Sequence, residues 1–199
     1  MNRNHEEKKN ITIGVLALQG AFREHIKALQ KTGIKAVEIK FPGNINDIDG
    51  LIVPGGESTT ISKLIYKYDL KKYLDEIYLS GKPMYGTCAG MILFAREVLN
   101  ENLGFNYIDI VVERNSYGRQ IDSFHEMVEL SFDRTKKFEA IFIRAPRIIS
   151  IGPEVDILSK INDNIILARQ KNILVSSFHP ELQDDLRIHD YFLSMVLNK

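Results

Sequence analysis

Residues Ile11 to Leu18 form an almost unbroken apolar run, which suits a strand buried on both faces. Ala21 to Thr32 then places Phe22, Ile26 and Leu29 on one stripe at helical spacing. The alternation repeats. Ile34 to Ile39 and Gly50 to Val53 read as strands, and Ser58 to Leu79 reads as helix, with Asp69 the point where it can break. Lys82 to Gly86 follows as a strand and Cys88 to Leu99 as a helix. Strand, helix, strand, helix with short links predicts a parallel sheet covered on both sides.

The character changes after Gly104. Tyr107 to Glu113, Ile121 to Phe132, Ala140 to Ile143, Ile157 to Ile161, Ile165 to Gln170 and Ile173 to Phe178 are all strand-like. Turn residues such as Asn115, Gly118 and Asn162-Asp163-Asn164 separate them, so hairpins are expected. Gln183 to Leu197 closes the chain as a helix with Leu186, Leu193 and Val196 on its inner stripe. The 199 residues suit one domain, a doubly wound sheet with an antiparallel elaboration in its second half, and leave no room for a second large one.

Lys+Arg and Asp+Glu are equal at 26 each, which speaks against nucleic acid or an anionic membrane as the main partner. Residues Met1 to Asn10 form a polar extension without the apolar core of a signal peptide, and no later stretch is long enough to span a bilayer. The cytosol is the expected compartment. Cys88 is the one cysteine, so the chain can form neither an internal disulfide nor a multi-cysteine metal site.

That cysteine lies in Gly86-Thr87-Cys88-Ala89-Gly90, where a strand meets a helix. A nucleophile there needs a tight, strained turn with small neighbours, which these residues supply. The start of the helix also favours thiolate over thiol. A buried structural cysteine in an ordinary turn is the competing reading, and the two glycines weigh against it. Phe178-His179-Pro180-Glu181-Leu182 follows the last expected strand. Extended backbone would put His179 and Glu181 on one face, as a base and the carboxylate that orients it. The competing reading is a proline-terminated strand with a surface His and Glu. Val53-Pro54-Gly55-Gly56-Glu57-Ser58-Thr59 also links a strand to a helix. Its glycines let backbone N–H groups approach a developing oxyanion, and Ser58 is placed to cap the helix. A P-loop is excluded by the missing G-x-x-x-x-G-K-[ST] pattern.

Taken together, the Cys88 elbow and His179-Pro180-Glu181 resemble the class I glutamine amidotransferases. Within that class, five blocks resemble the glutaminase-subunit family of pyridoxal 5′-phosphate synthases: Gly14 to Gly20, Pro54 to Thr59, Glu113 to Gln120, Phe142 to Pro146 and Ser177 to Leu182. The resemblance implies a flavodoxin-like three-layer α/β/α sandwich with a mostly parallel central sheet. It implies Cys88 as nucleophile, His179 as proton relay and Glu181 as its orienter. Gly55, Gly56, Glu57, Ser58, Ala89, Arg114, Ile143 and Arg144 would form the glutamine site, where guanidinium groups suit a free carboxylate. It further implies no cofactor, no metal, and ammonia passed to a (β/α)8-barrel synthase subunit, with Gln19 and the first βα loop near the contact. Family glutaminases are largely inactive until that partner orders the oxyanion loop. Three alternatives stand beside this reading: an amidotransferase serving another synthase, a non-catalytic scaffold on the same fold, and a related cysteine hydrolase that does not use glutamine.

Overall fold

The N-terminal apolar run forms β1 (Thr12–Leu16), which has a strand on either side. The computed structural model describes residues 11–44, 47–114 and 123–198. The extension at 1–10, the block Asn115 to Gln120 with its expected turn residues, and the start of the strand expected from Ile121 lie outside the described residues.

β1 leads through α1 (Phe22–Lys31) to β2 (Lys35–Ile39), then to β3 (Gly50–Val53). The expected long helix is two, α2 (Ser58–Lys67) and α3 (Lys71–Leu79). They part at Asp69, whose φ of 53° is left-handed and stops the helix. β4 (Met84–Thr87) and a short α4 (Ala89–Phe94) follow. The main sheet runs β10-β11-β12-β4-β3-β1-β2. The pairings β2-β1-β3-β4-β12 are all parallel, which is the flavodoxin-like order. β10 (Asp156–Ile161), β11 (Asn164–Gln170) and β12 (Ile173–Ser176) pair antiparallel, and the first two turn through Asn162 and Asp163 as expected.

Strand residues alternate between two cores. Leu51, Val53, Ile173 and Val175 face one with α2, α3 and α4; Ile52 and Leu174 face the other with α1 and the last helix, α5 (Arg187–Leu197). Full burial of each such side chain contributes about 1.5–3 kcal/mol. These are the three layers expected.

Four local expectations are corrected. The helix beginning at Cys88 stops at Phe94, because Ala95–Val98 turns extended and pairs as β5 with β6 (Ile108–Glu113). β6 does not hairpin with the next strand. It pairs with β9 (Arg147–Ile151), which was not expected, and the three make a small second sheet. The hairpin is instead β7 (Ser123–Leu130) with β8 (Asp133–Ile143), so the strand expected over Ala140 to Ile143 begins seven residues earlier, at Asp133. Finally, α5 starts at Arg187 rather than Gln183. Among the described residues, no helix is long and apolar enough to cross a membrane.

Candidate active site

β3 and β4 are parallel neighbours, so the segments leaving their carboxyl ends emerge side by side. After Thr87 the chain turns sharply at Cys88, which has φ 49° and ψ −100°. Non-glycine residues seldom hold that conformation, and it costs about 1–3 kcal/mol. The surroundings fix it. Cys88 N–H donates to Ser176 O at 2.8 Å, and Ile92 N–H closes the first turn of α4 onto Cys88 O at 3.2 Å. A Cβ on Gly90 would lie 2.1 Å from Val53 O, so only glycine lets α4 pack this closely on β3. The Cys88 side chain approaches Ile143 O at 3.9 Å.

His179 lines the same cavity as Cys88, and its Nδ1 meets Glu181 Oε1 at 2.7 Å. The expected contact is present, but its reason differs. β12 ends at Ser176, and Pro180–Leu182 forms a single 3₁₀ turn that folds Glu181 back under the imidazole. Burial opposes a charge on His179, but the neighbouring Cys88 and the hydrogen bond and charge of Glu181 outweigh it, raising the imidazole pKa to about 10. Glu181 is buried, which pushes its carboxyl up. His25 and His179 reverse that, and the carboxyl is held below its ordinary value.

The Pro54–Glu57 loop packs against this pair. A Cβ on Gly55 would lie 2.3 Å from His179 Cε1 and 3.3 Å from Cys88 Cβ. Gly55 N–H donates to Thr87 Oγ1 at 2.9 Å, Gly55 O accepts from Ala21 N–H at 3.0 Å, and Glu57 N–H donates to Gln19 Oε1 at 2.8 Å. The amides of Gly55 and Glu57 are therefore engaged within the protein. The helix cap is also corrected: Glu57, not Ser58, caps α2, accepting Thr59 N–H at 3.0 Å and Thr60 N–H at 2.6 Å. Burial raises the Glu57 carboxyl, but these bonds together outweigh it and lower it to about 2. Ser58 Oγ is left buried without a hydrogen-bond partner.

A cavity of about 270 Å³ opens over Cys88 and His179, walled by Gln19, Gly56, Glu57, Ser58, Ile92, Arg114, Ile143 and Arg144. Gly55, Ala89 and Glu181 lie behind that wall, so every residue singled out from sequence lies in or against this one site. Arg114 is held there by Glu57 at 3.2 Å, by Thr59 Oγ1 at 3.2 Å and by Glu101. Arg144 is exposed, with φ 43°, directly after Ile143. A second hollow of about 290 Å³ opens beside Glu181, between Glu24, Lys27 and Lys31 of α1 and Leu182 to Asp184, and contains neither Cys88 nor His179. Among the described residues, no group of three or more His, Cys, Asp and Glu is arranged to hold a metal ion.

Sequence reasoning missed Thr87, which holds Gly55, and two buried histidines. His25 Nε2 lies 3.2 Å from Thr87 Oγ1 and 3.4 Å from Glu181 Oε2, and His25 Nδ1 lies 3.1 Å from His189 Nε2. The available signal was a histidine within the buried stripe of α1, beside Ala28 and Leu29.

The chain matches the model of the SNO glutamine amidotransferase family over residues 15–198. It is 51% identical, over 92% of its length and 97% of the relative's, to the pyridoxal 5′-phosphate synthase subunit PdxT of Carboxydothermus hydrogenoformans. It is 48% identical to the protein of that name from Thermotoga maritima, covering 92% of this chain and 98% of the other. A crystal structure of a glutamine amidotransferase superposes with a TM-score of 0.87 at 42% identity, over 92% of this chain and 98% of that one. PurLQS from Thermotoga maritima shares the fold at a TM-score of 0.71 and 15% identity, over 94% and 98%.

Proposed function

Because this chain belongs to the SNO glutamine amidotransferase family, we propose that it is the glutaminase subunit of a pyridoxal 5′-phosphate synthase, and that it acts as one amidotransferase domain. The observation that carries the chemistry is Cys88, strained at the wall of a cavity that it shares with a His179 oriented by Glu181.

In this reading Cys88 passes its thiol proton to His179 and its sulfur attacks the side-chain amide carbon of glutamine. The tetrahedral oxyanion forms, the C–N bond breaks, and ammonia leaves with a proton from His179. A water then gives its proton to His179 and attacks the thioester carbon. The C–S bond breaks, glutamate departs, and His179 returns that proton to the sulfur to restore the thiol. Arg114 and Arg144 bind the substrate carboxylate, and the unpartnered Ser58 hydroxyl offers a further polar contact at the wall. The ammonia passes to a synthase subunit, which we take to be a (β/α)8 barrel. Two loop amides are engaged by Thr87 and Gln19. That supports a resting state in which the synthase must reorient the loop, with Gln19 near the contact.

The test is glutamate release from glutamine, with and without the synthase subunit, for the native chain and Cys88→Ala. Release that needs the synthase and falls at least about a thousandfold in Cys88→Ala is the expected result. A native chain that binds the synthase yet releases no glutamate would overturn the reading in favour of a scaffold.

A further inference from the structure

Glu181 has two carboxylate oxygens, and the triad uses one. Oε1 meets His179, while Oε2 is fully buried and makes no well-formed hydrogen bond. A buried carboxylate oxygen without a donor is costly, so what faces it matters. That neighbour is His25, itself without solvent exposure, at 3.4 Å.

The tautomer of His25 follows from its three contacts. If Nδ1 carried the hydrogen, the bare Nε2 lone pair would face the Glu181 carboxylate, and His189 would have to keep its own hydrogen on Nδ1. His189 Nδ1 is buried and has no partner, so that arrangement would orphan an N–H as well. With the hydrogen on His25 Nε2, the carboxylate faces an N–H and no N–H is orphaned, His189 Nδ1 being left as a bare acceptor. His189 Nε2–H donates to His25 Nδ1, and His25 Nε2–H points between Glu181 Oε2 and Thr87 Oγ1. His25 acts in this as a neutral donor. Burial lowers its pKa despite the Glu181 charge, and His179 disfavours a second cation nearby. Burial likewise lowers His189, to about 3.

We propose that His25 is a positioning residue for the glutaminase reaction, its Nε2–H holding the free oxygen of Glu181 and linking it through Thr87 to Gly55 of the oxyanion loop. In the resting state the base and the loop are thereby tied to one side chain of α1, with His189 fixing its ring. This rests on the glutaminase reading for its kinetic consequences, but not for its tautomer.

Two measurements test it. Long-range ¹H–¹⁵N NMR of the full chain reads the His25 tautomer directly, and needs no substrate. Neutral Nε2–H from about pH 6 to 8 is expected; Nδ1–H would overturn the proposal. Kinetics of the chain with its synthase subunit then compare His25→Leu with His25→Gln, whose side-chain amide N–H reaches about the same place. Loss of a hydrogen bond to a charged group predicts a kcat lower by about 10- to 100-fold in His25→Leu, with KM little changed. The acid limb of its pH profile should move up, because Glu181 loses a donor; the other titratable groups facing the pair are His179, His189, Tyr85 and Glu24. His25→Gln should recover most of the rate. A folded His25→Leu with native kcat, or a folded His25→Gln no better than His25→Leu, would overturn it. If the native complex hydrolyses no glutamine, the glutaminase reading fails and the tautomer still decides the contact.

Discussion

Two turns lie side by side at the carboxyl ends of β3 and β4, and they are secured in different ways. The Cys88 elbow is held by buried backbone: Ser176 O on one side, the first turn of α4 on the other, and Val53 O pressed against Gly90. The Pro54–Glu57 loop is held largely by side chains, with Thr87 and Gln19 accepting its amides and an exposed Glu57 at its end. The position of Cys88 therefore belongs to the core, whereas the position of the loop amides rests on a few exchangeable tethers. A partner can rearrange the second without disturbing the first.

The contrast breaks most severely at Gly90. Gly90→Ala drives a Cβ into Val53 O and should destabilise by about 3 kcal/mol, roughly a 10 °C drop in Tm by calorimetry. Survival of the native Tm would show the elbow to be as soft as the loop. Gly55→Ala places its Cβ against His179 and Cys88 instead. Because the loop can yield, Tm should change little while kcat/KM with the synthase falls by about 100-fold, as displacement of catalytic groups near 1 Å predicts. Glu57→Ala gives the smallest effect, the loss of a helix cap worth about 1 kcal/mol. The Glu57 carboxyl is held at about 2, against 4.5 as its ordinary value. The cap is thus fully present above about pH 4.5 and lost as pH falls toward 2, so variant and native stabilities should converge in that window. A gap that persists at pH 2 would place the stabilisation elsewhere.

Sequence carried the parallel order, because the central strands β1, β3, β4 and β12 are buried on both faces and α1, α2, α3 and α5 each show one apolar stripe. It also carried the elbow, since Gly86 and Gly90 reflect contacts that only glycine permits. The failures share a cause. Ala95–Val98 continues a helical pattern locally, and only pairing with β6 makes it a strand. β6 and β7 look like the arms of one hairpin until β9 and β8 compete for them. His179 and Glu181 meet through a 3₁₀ turn that extended-strand reasoning does not supply. His25 and His189 are 164 residues apart, and nothing local announces their contact.

The torsion of Cys88 has a thermodynamic consequence. Its φ of 49° with ψ of −100° is a conformation at ease only for glycine, so the folded state holds conformational energy at the reacting atom's own residue. Alanine inherits that tension intact. The Cys88→Ala chain should then fold no more firmly than the native one beyond the small change in packed sulfur, so that a loss of activity in it would report chemistry alone. The sheet around the elbow behaves as a loaded spring whose tension is independent of which side chain it presents.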